Sequence, residues 1–114
     1  MGKIIFICHP WAGNLKPHEY NPFPKLTKDI CRYLALHTKD IPLSTGRYFN
    51  DFLHDDVTNE RNLGIKLGQE MMKKCEIVYL YDMHGISKGM KKDIKNANKL
   101  KIPIRYFDKY PWEK

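Results

Sequence analysis

The stretch Ile77-Val78-Tyr79-Leu80-Tyr81-Asp82-Met83-His84-Gly85-Ile86-Ser87-Lys88-Gly89-Met90-Lys91-Lys92-Asp93-Ile94 decides the fold. Its apolar run ends in Asp82 and reads as a strand. Gly85 marks a turn, and Ser87 is a good N-cap for a helix. Met90, Ile94 and Ala97 then recur at helical spacing. The order is strand, turn, helix, and open α/β sheets bind ligands outside the carboxyl ends of such strands. The backbone N–H groups of Ser87 to Met90 open the helix and face that space, where phosphate or carboxylate is favoured. Asp93 falls inside the apolar arc of the helix. A carboxylate there is a catalytic group, a binding group or a buried salt-bridge partner.

Working outward, Lys3 to Cys8 is a continuous apolar run typical of a strand buried on both faces. His9-Pro10-Trp11-Ala12-Gly13-Asn14 stops it and supplies a polar, aromatic loop at its carboxyl end, a first place for a ligand. The Pro- and aromatic-rich segment 14–24 cannot be a regular helix. Pro24 suits a helix first turn, and Leu26, Ile30, Tyr33 and Leu34 follow at helical spacing. Asp40 to Ser44 reads as a short strand that Pro42 places at an edge. The connection Thr45 to Asp56 is long for such a domain and carries Arg47, Tyr48, His54, Asp55 and Asp56, all suited to a polar ligand. A second helix is expected from about Thr58 to Lys74, with Glu60 and Arg61 able to reach the site from its first turn. Its Gly64 and Gly68 suggest tight packing against the sheet or a partner subunit. Ile102 to Phe107 is the last strand, with Pro103 again suiting an edge. Tyr110 and Trp112 lie in a tail that packs on the body or on a neighbouring chain.

Strands joined by helical, right-handed crossovers give an α/β three-layer open sandwich with a mostly parallel sheet of four to five strands. The expected strand order is 2-1-3-4. His9, Trp11 and Gly13 then border one crevice together with the turn Asp82 to Gly89.

The chain of 114 residues suits one domain, and its 42% hydrophobic and 29% charged content is that of a globular protein. No apolar run is long enough for a bilayer. Met1 to Phe6 enters a strand with no signal-peptide layout, so a cytoplasmic protein without membrane partners is expected. Cys8, Cys31 and Cys75 are far apart and odd in number, which suggests neither a disulfide framework nor a zinc ribbon. Net charge is +7. Lys88, Lys91, Lys92, Lys95 and Lys99 fall outside the apolar arc of the third helix, as a solvated face or as a patch that attracts anions. No nucleic-acid-binding motif is present, so nucleic acid is not an expected partner. Dinucleotide and Walker fingerprints, a nucleophile elbow and metal-ligand spacing are also missing, and neither cofactor nor metal is expected.

What remains is a set of carboxylates: Asp55, Asp56, Asp82 and Asp93. Asp82 ends a strand and Asp93 lies about two turns into the next helix, so both can aim at one crevice. A carboxylate nucleophile suits attack at an anomeric carbon, where the transition state is cation-like. The alternative is structural. Asp55 and Asp56 would cap the second helix, Asp82 would make turn hydrogen bonds, and Asp93 would pair with a lysine or arginine.

The chain resembles the small phage and bacterial proteins similar to nucleoside 2-deoxyribosyltransferases. The likeness runs through Cys8-His9-Pro10-Trp11-Ala12-Gly13-Asn14, Phe52-Leu53-His54-Asp55-Asp56, Glu60-Arg61-x-x-Gly64 and Cys75-Glu76-Ile77. It is strongest in Ser87-Lys88-Gly89-Met90-Lys91-Lys92-Asp93-Ile94 and in the closing Ile102-Pro103-Ile104-Arg105-Tyr106. The resemblance implies a flavodoxin-like or Rossmann-like fold and a nucleoside or nucleotide ligand. It implies Asp93 as nucleophile toward C1′ of a deoxyribose, where the family carries a glutamate one methylene longer. It implies Asp82 as a holder of the base, and Ser87 and Gly89 as contacts to the sugar or its 5′ substituent. His9, Trp11, Gly13, Asp55 and Met90 complete the expected ligand-binding set. A homo-oligomer is expected, because related proteins complete their site across a subunit interface. The alternative function is a catalytically degenerate module that sequesters a nucleotide signal or contacts a host protein.

Overall fold

The first strand, β1 (Ile4–Cys8), is buried along nearly its whole length, as its unbroken apolar run requires. A computed structural model describes residues 2–11, 15–16, 18–54 and 56–113 of the chain. After β1 come α1 (Phe23–His37), β2 (Ile41–Leu43), α2 (Thr45–Phe49), α3 (Thr58–Met72), β3 (Ile77–Tyr81), α4 (Lys88–Leu100) and β4 (Ile104–Phe107). All strand pairs are parallel, and the order is β2-β1-β3-β4. The described residues form a four-stranded sheet, and this is the open α/β sandwich of flavodoxin-like and Rossmann-like proteins.

Alternation along the central strands divides the core. Phe6 and Cys8 of β1 and Val78 and Leu80 of β3 point to one face, where they pack with Met72 of α3 and Met90 and Ala97 of α4. Ile5 and Ile7 join Tyr81 on the other face, against Ile30 and Leu34 of α1 and Tyr110 of the tail. Helices therefore cover both faces, as a fully parallel sheet demands. The tail packs on the body through Tyr110, whose ring is 7% exposed.

The ends of α4 follow from single residues. Ser87 Oγ accepts a hydrogen bond from the Met90 N–H at 3.3 Å, which caps the first turn. Gly85, with φ of +85°, makes the turn between β3 and this cap, a backbone shape that side chains oppose. At the other end Lys101 adopts the left-handed conformation, φ 59°, and closes the helix onto Ala97 and Asn98.

Three expectations change. The connection after β2 is not an open loop: residues 45–49 form α2, a helix of 5 residues capped by Ser44 Oγ on the Arg47 N–H. Helix α3 starts without a side-chain cap, its N-cap being Val57, so Asp56 does not serve there. Gly68 faces α2 rather than the sheet. It lets Thr45 of α2 pack against α3, with Thr45 Oγ1 3.2 Å from where a Cβ would stand. No described helix is long and apolar enough to cross a membrane.

Candidate functional site

A cavity of about 720 Å³ opens at the carboxyl end of the sheet, beside β1 and the start of α4. Three walls come from separate elements. His9 and Trp11 follow β1, Gly46 and Asn50 lie on and just after α2, and Glu60, Arg61 and Gly64 lie on α3. The fourth wall is the first turns of α4, with Ser87, Lys88, Gly89, Met90, Lys92 and Asp93. This is the position that parallel sheets offer to ligands, because strand ends and helix starts converge there.

Asp93 is the most unusual group in the cavity. It is half-buried, and no cation among the described residues forms an ion pair with it; the two ion pairs present are Lys25–Asp29 and Lys73–Glu70. Its partner is the Cys8 thiol, which donates to Oδ2 at 3.6 Å. Cys8 is 1% exposed. The structural alternative, a salt bridge to lysine or arginine, is thus not formed among the described residues, and the contact is to a neutral thiol. Burial raises the Asp93 carboxyl to about pH 7, and the thiol hydrogen bond opposes that rise. Burial, reinforced by the Asp93 charge and hydrogen bond, raises the Cys8 thiol well above its usual range, so it stays protonated as a donor. A carboxyl poised near neutrality can serve as nucleophile when ionised or as acid when protonated.

His9 is held by a network that fixes its protonation. The Thr27 hydroxyl donates to the Phe23 carbonyl at 2.9 Å, so its oxygen accepts from His9 Nδ1–H at 2.8 Å. His9 Nε2 is then the acceptor, and the Tyr110 hydroxyl donates to it at 3.0 Å. Burial, followed by repulsion from His84, lowers the imidazole to about 4, so it is neutral at physiological pH. Both ring nitrogens are therefore spent inside the protein. His9 lines the cavity with its ring, and both of its nitrogens are engaged within the protein.

Residues 3–107 match the model of a family described as a domain of unknown function, DUF7768. The chain belongs to the DUF7768 family. No curated protein and no solved structure matches it. The DUF7768 match runs from β1 through β4 and takes in every cavity residue named above, whereas Tyr110, which fixes His9, lies beyond it.

Within this DUF7768 domain the expected site residues separate into groups. Trp11, Ser87, Gly89 and Asp93 line this cavity together. The Ser87 oxygen is engaged in capping, and its hydroxyl donates to no partner among the described residues. Met90 also lines it, but its side chain is 2% exposed in the core and its N–H is spent on Ser87. Asp82 does not line the cavity. Its backbone closes the turn, accepting from the Gly85 N–H at 2.9 Å and donating to the Phe107 carbonyl at 3.2 Å. The following residues lean to the opposite face, where His84 meets Phe23 and Tyr110. Asp82 and Asp93 therefore do not share a crevice. Gly13 and Asp55 lie outside the described residues. Arg47 points away, donating to the Pro24 carbonyl at 3.4 Å. Glu60 and Arg61 do reach the cavity, and Glu60 also accepts from the His54 N–H at 3.0 Å. Among the described residues no group of three His, Cys, Asp or Glu side chains could hold a metal ion.

The Trp11 ring lies against α2 because position 46 is glycine. A Cβ there would stand 2.9 Å from Trp11 Cε3. Gly46→Ala is expected to displace the indole while leaving the helix intact, since alanine is the better helix former. In a Trp112→Phe background, Trp11 emission and near-ultraviolet dichroism should change with no loss of unfolding midpoint. An unchanged spectrum would show that the ring is not held by this contact.

Proposed function

We propose that the cavity binds a deoxynucleoside or its monophosphate with the anomeric carbon over Asp93, and that Asp93 cleaves the N-glycosidic bond. The observation that carries this reading is a carboxyl without a cationic partner among the described residues, poised near neutrality, facing a cavity that also presents an indole and a serine hydroxyl. The ionised carboxylate attacks C1′ as the C1′–N bond breaks, and the electron pair leaves with the base, which takes a proton from solvent. Water or a second base then attacks C1′ and gives up its proton to solvent, and the ester C–O bond returns its electrons to Asp93. Trp11 supplies an aromatic face for the base, and Ser87 a donor for the sugar or its 5′ substituent. The resemblance to nucleoside 2-deoxyribosyltransferases implies the same roles for Asp93 and Ser87, whereas it gives the base to Asp82, which does not line this cavity.

The test is to incubate the protein with the common deoxynucleosides and their 5′-monophosphates and to measure free base by chromatography, with Asp93→Ala alongside. Base release lost in the variant supports the reading. A folded protein that releases no base from any of them ends it. Recovery of an intact, tightly held nucleotide in that case supports the binding module without turnover. The shorter side chain of Asp93 relative to the family's glutamate favours this second reading.

A further inference from the structure

The charges around the cavity are not balanced. Three cations line it, Arg61, Lys88 and Lys92, against two carboxyls, Glu60 and Asp93. Asp93 is only about half ionised at neutral pH, because burial has raised it to about 7. Glu60 already accepts a hydrogen bond from the His54 backbone. None of the three cations belongs to an ion pair among the described residues. Their convergence is built into the fold. Lys88 opens α4, Lys92 lies one turn further along the same side, and Arg61 is in the first turn of α3. Both helices begin at the carboxyl end of the sheet. Lys91, Lys95 and Lys99 belong to the same helix but do not line the cavity. The general basicity of α4 therefore does not by itself account for the placement of Lys88 and Lys92.

We infer that Arg61, Lys88 and Lys92 form a subsite for a phosphomonoester, so that the ligand is a nucleoside monophosphate rather than a free nucleoside. The inference rests on the nucleoside reading of the cavity and names the form of the ligand. Asp93 is next to Lys92 in sequence but turned about 100° around the helix, toward β1 and Cys8. An anion at the rim and a sugar at the carboxyl can therefore be held by one molecule. Arg61, Lys88 and Lys92 are solvent-exposed, so their attraction for phosphate is charge-assisted and weakens as salt is added.

The test measures binding by calorimetry for each of the four deoxynucleosides, for its 5′-monophosphate, for inorganic phosphate and for a single-stranded oligonucleotide. At least one monophosphate is expected to bind about tenfold or more tightly than its nucleoside. The gap should disappear in Lys88→Ala/Lys92→Ala and persist in Lys95→Ala/Lys99→Ala, whose folds are unaffected because all four side chains are exposed. Equal affinity for nucleoside and monophosphate overturns the subsite and leaves the nucleoside reading standing. Phosphate binding that depends on Lys88 and Lys92, with no binding of any nucleoside or monophosphate, keeps the anion site and removes the nucleoside reading. Equal losses in the two double variants, or tightest binding to the oligonucleotide, overturn the inference in favour of the diffuse field of the helix. No binding of any probe removes both readings.

Discussion

Under the proposed cleavage of the N-glycosidic bond, Asp93→Asn is expected to abolish base release, by about a thousandfold or more, and in any case to make the protein more stable at alkaline pH. The second effect follows from the raised carboxyl. The unfolded chain gives up this proton near pH 4 and the folded chain at about 7. Between those values the native state holds a proton that the unfolded state lacks, so stability falls as pH rises through the window. Above about pH 7 both states are ionised and the whole penalty is in place, roughly 2–4 kcal/mol for a shift of this size. Asparagine carries no such penalty and can still accept from the Cys8 thiol. Urea unfolding should therefore place the variant above the wild type by that margin at pH 8 and within about 1 kcal/mol of it at pH 4. The same difference at both values would falsify the assignment of Asp93 as a desolvated, unpaired carboxylate. A gain in stability joined to loss of turnover is the pattern expected of a residue retained for function.

The largest loss of stability is expected at Tyr81. It is the largest fully buried side chain, 1% exposed, at the end of central strand β3. Its ring stacks on Phe107 at 5.1 Å and on Tyr110 at 6.3 Å, and meets His9 edge-on at 6.4 Å. Truncation to alanine removes this layer and leaves a cavity, at a cost of about 3–5 kcal/mol. That is a large part of the roughly 5–15 kcal/mol that holds a domain of this size together. Tyr81→Phe keeps the ring and should cost about 1 kcal/mol or less. Denaturant midpoints of the two variants separate ring packing from the hydroxyl. Similar losses in both would mean that the hydroxyl, not the stack, is the important part. Because Tyr81 supports Tyr110 and His9, the alanine variant should also loosen the wall that carries Trp11.

The parts of this structure that were legible in the sequence are those written in short-range patterns. The apolar runs of β1 and β3, the Ser87 cap and the spacing Met90-Ile94-Ala97 each depend on neighbours within a turn or a strand, and alternating strands and helices then led to the order 2-1-3-4. Helix α2 escaped because its 5 residues are too few to show a period and include Gly46. Its one local signal was Ser44, three residues before Arg47, a cap spacing that could have been read. The bond between Cys8 and Asp93 joins residues far apart in the chain. Strand alternation puts Cys8 on the same face as Phe6, but only the docked α4 shows that Asp93 meets it. His9 escaped for the same reason. A histidine in a strand-end loop looks free until Thr27 on one side and Tyr110 on the other take both nitrogens. Asp82 was misplaced because the direction of a turn after a strand is decided by what the next aromatic residues pack against.

The central position of β1 also bears on how the molecule comes apart. Its pairing with β2 joins Ile4–Phe6 to Ile41–Leu43, and its pairing with β3 joins Ile5–Cys8 to Ile77–Leu80 across about twice as much chain. Closing the longer loop costs more entropy, so the early half, β1-α1-β2, is expected to form before β3 and α4 dock on it. Cys8 belongs to the early half and Asp93 to the late one. The cavity, walled by residues after β1 on one side and by the first turns of α4 on the other, is complete only when the two halves are docked. A ligand bound there would touch both halves and so stabilise the native chain against their separation.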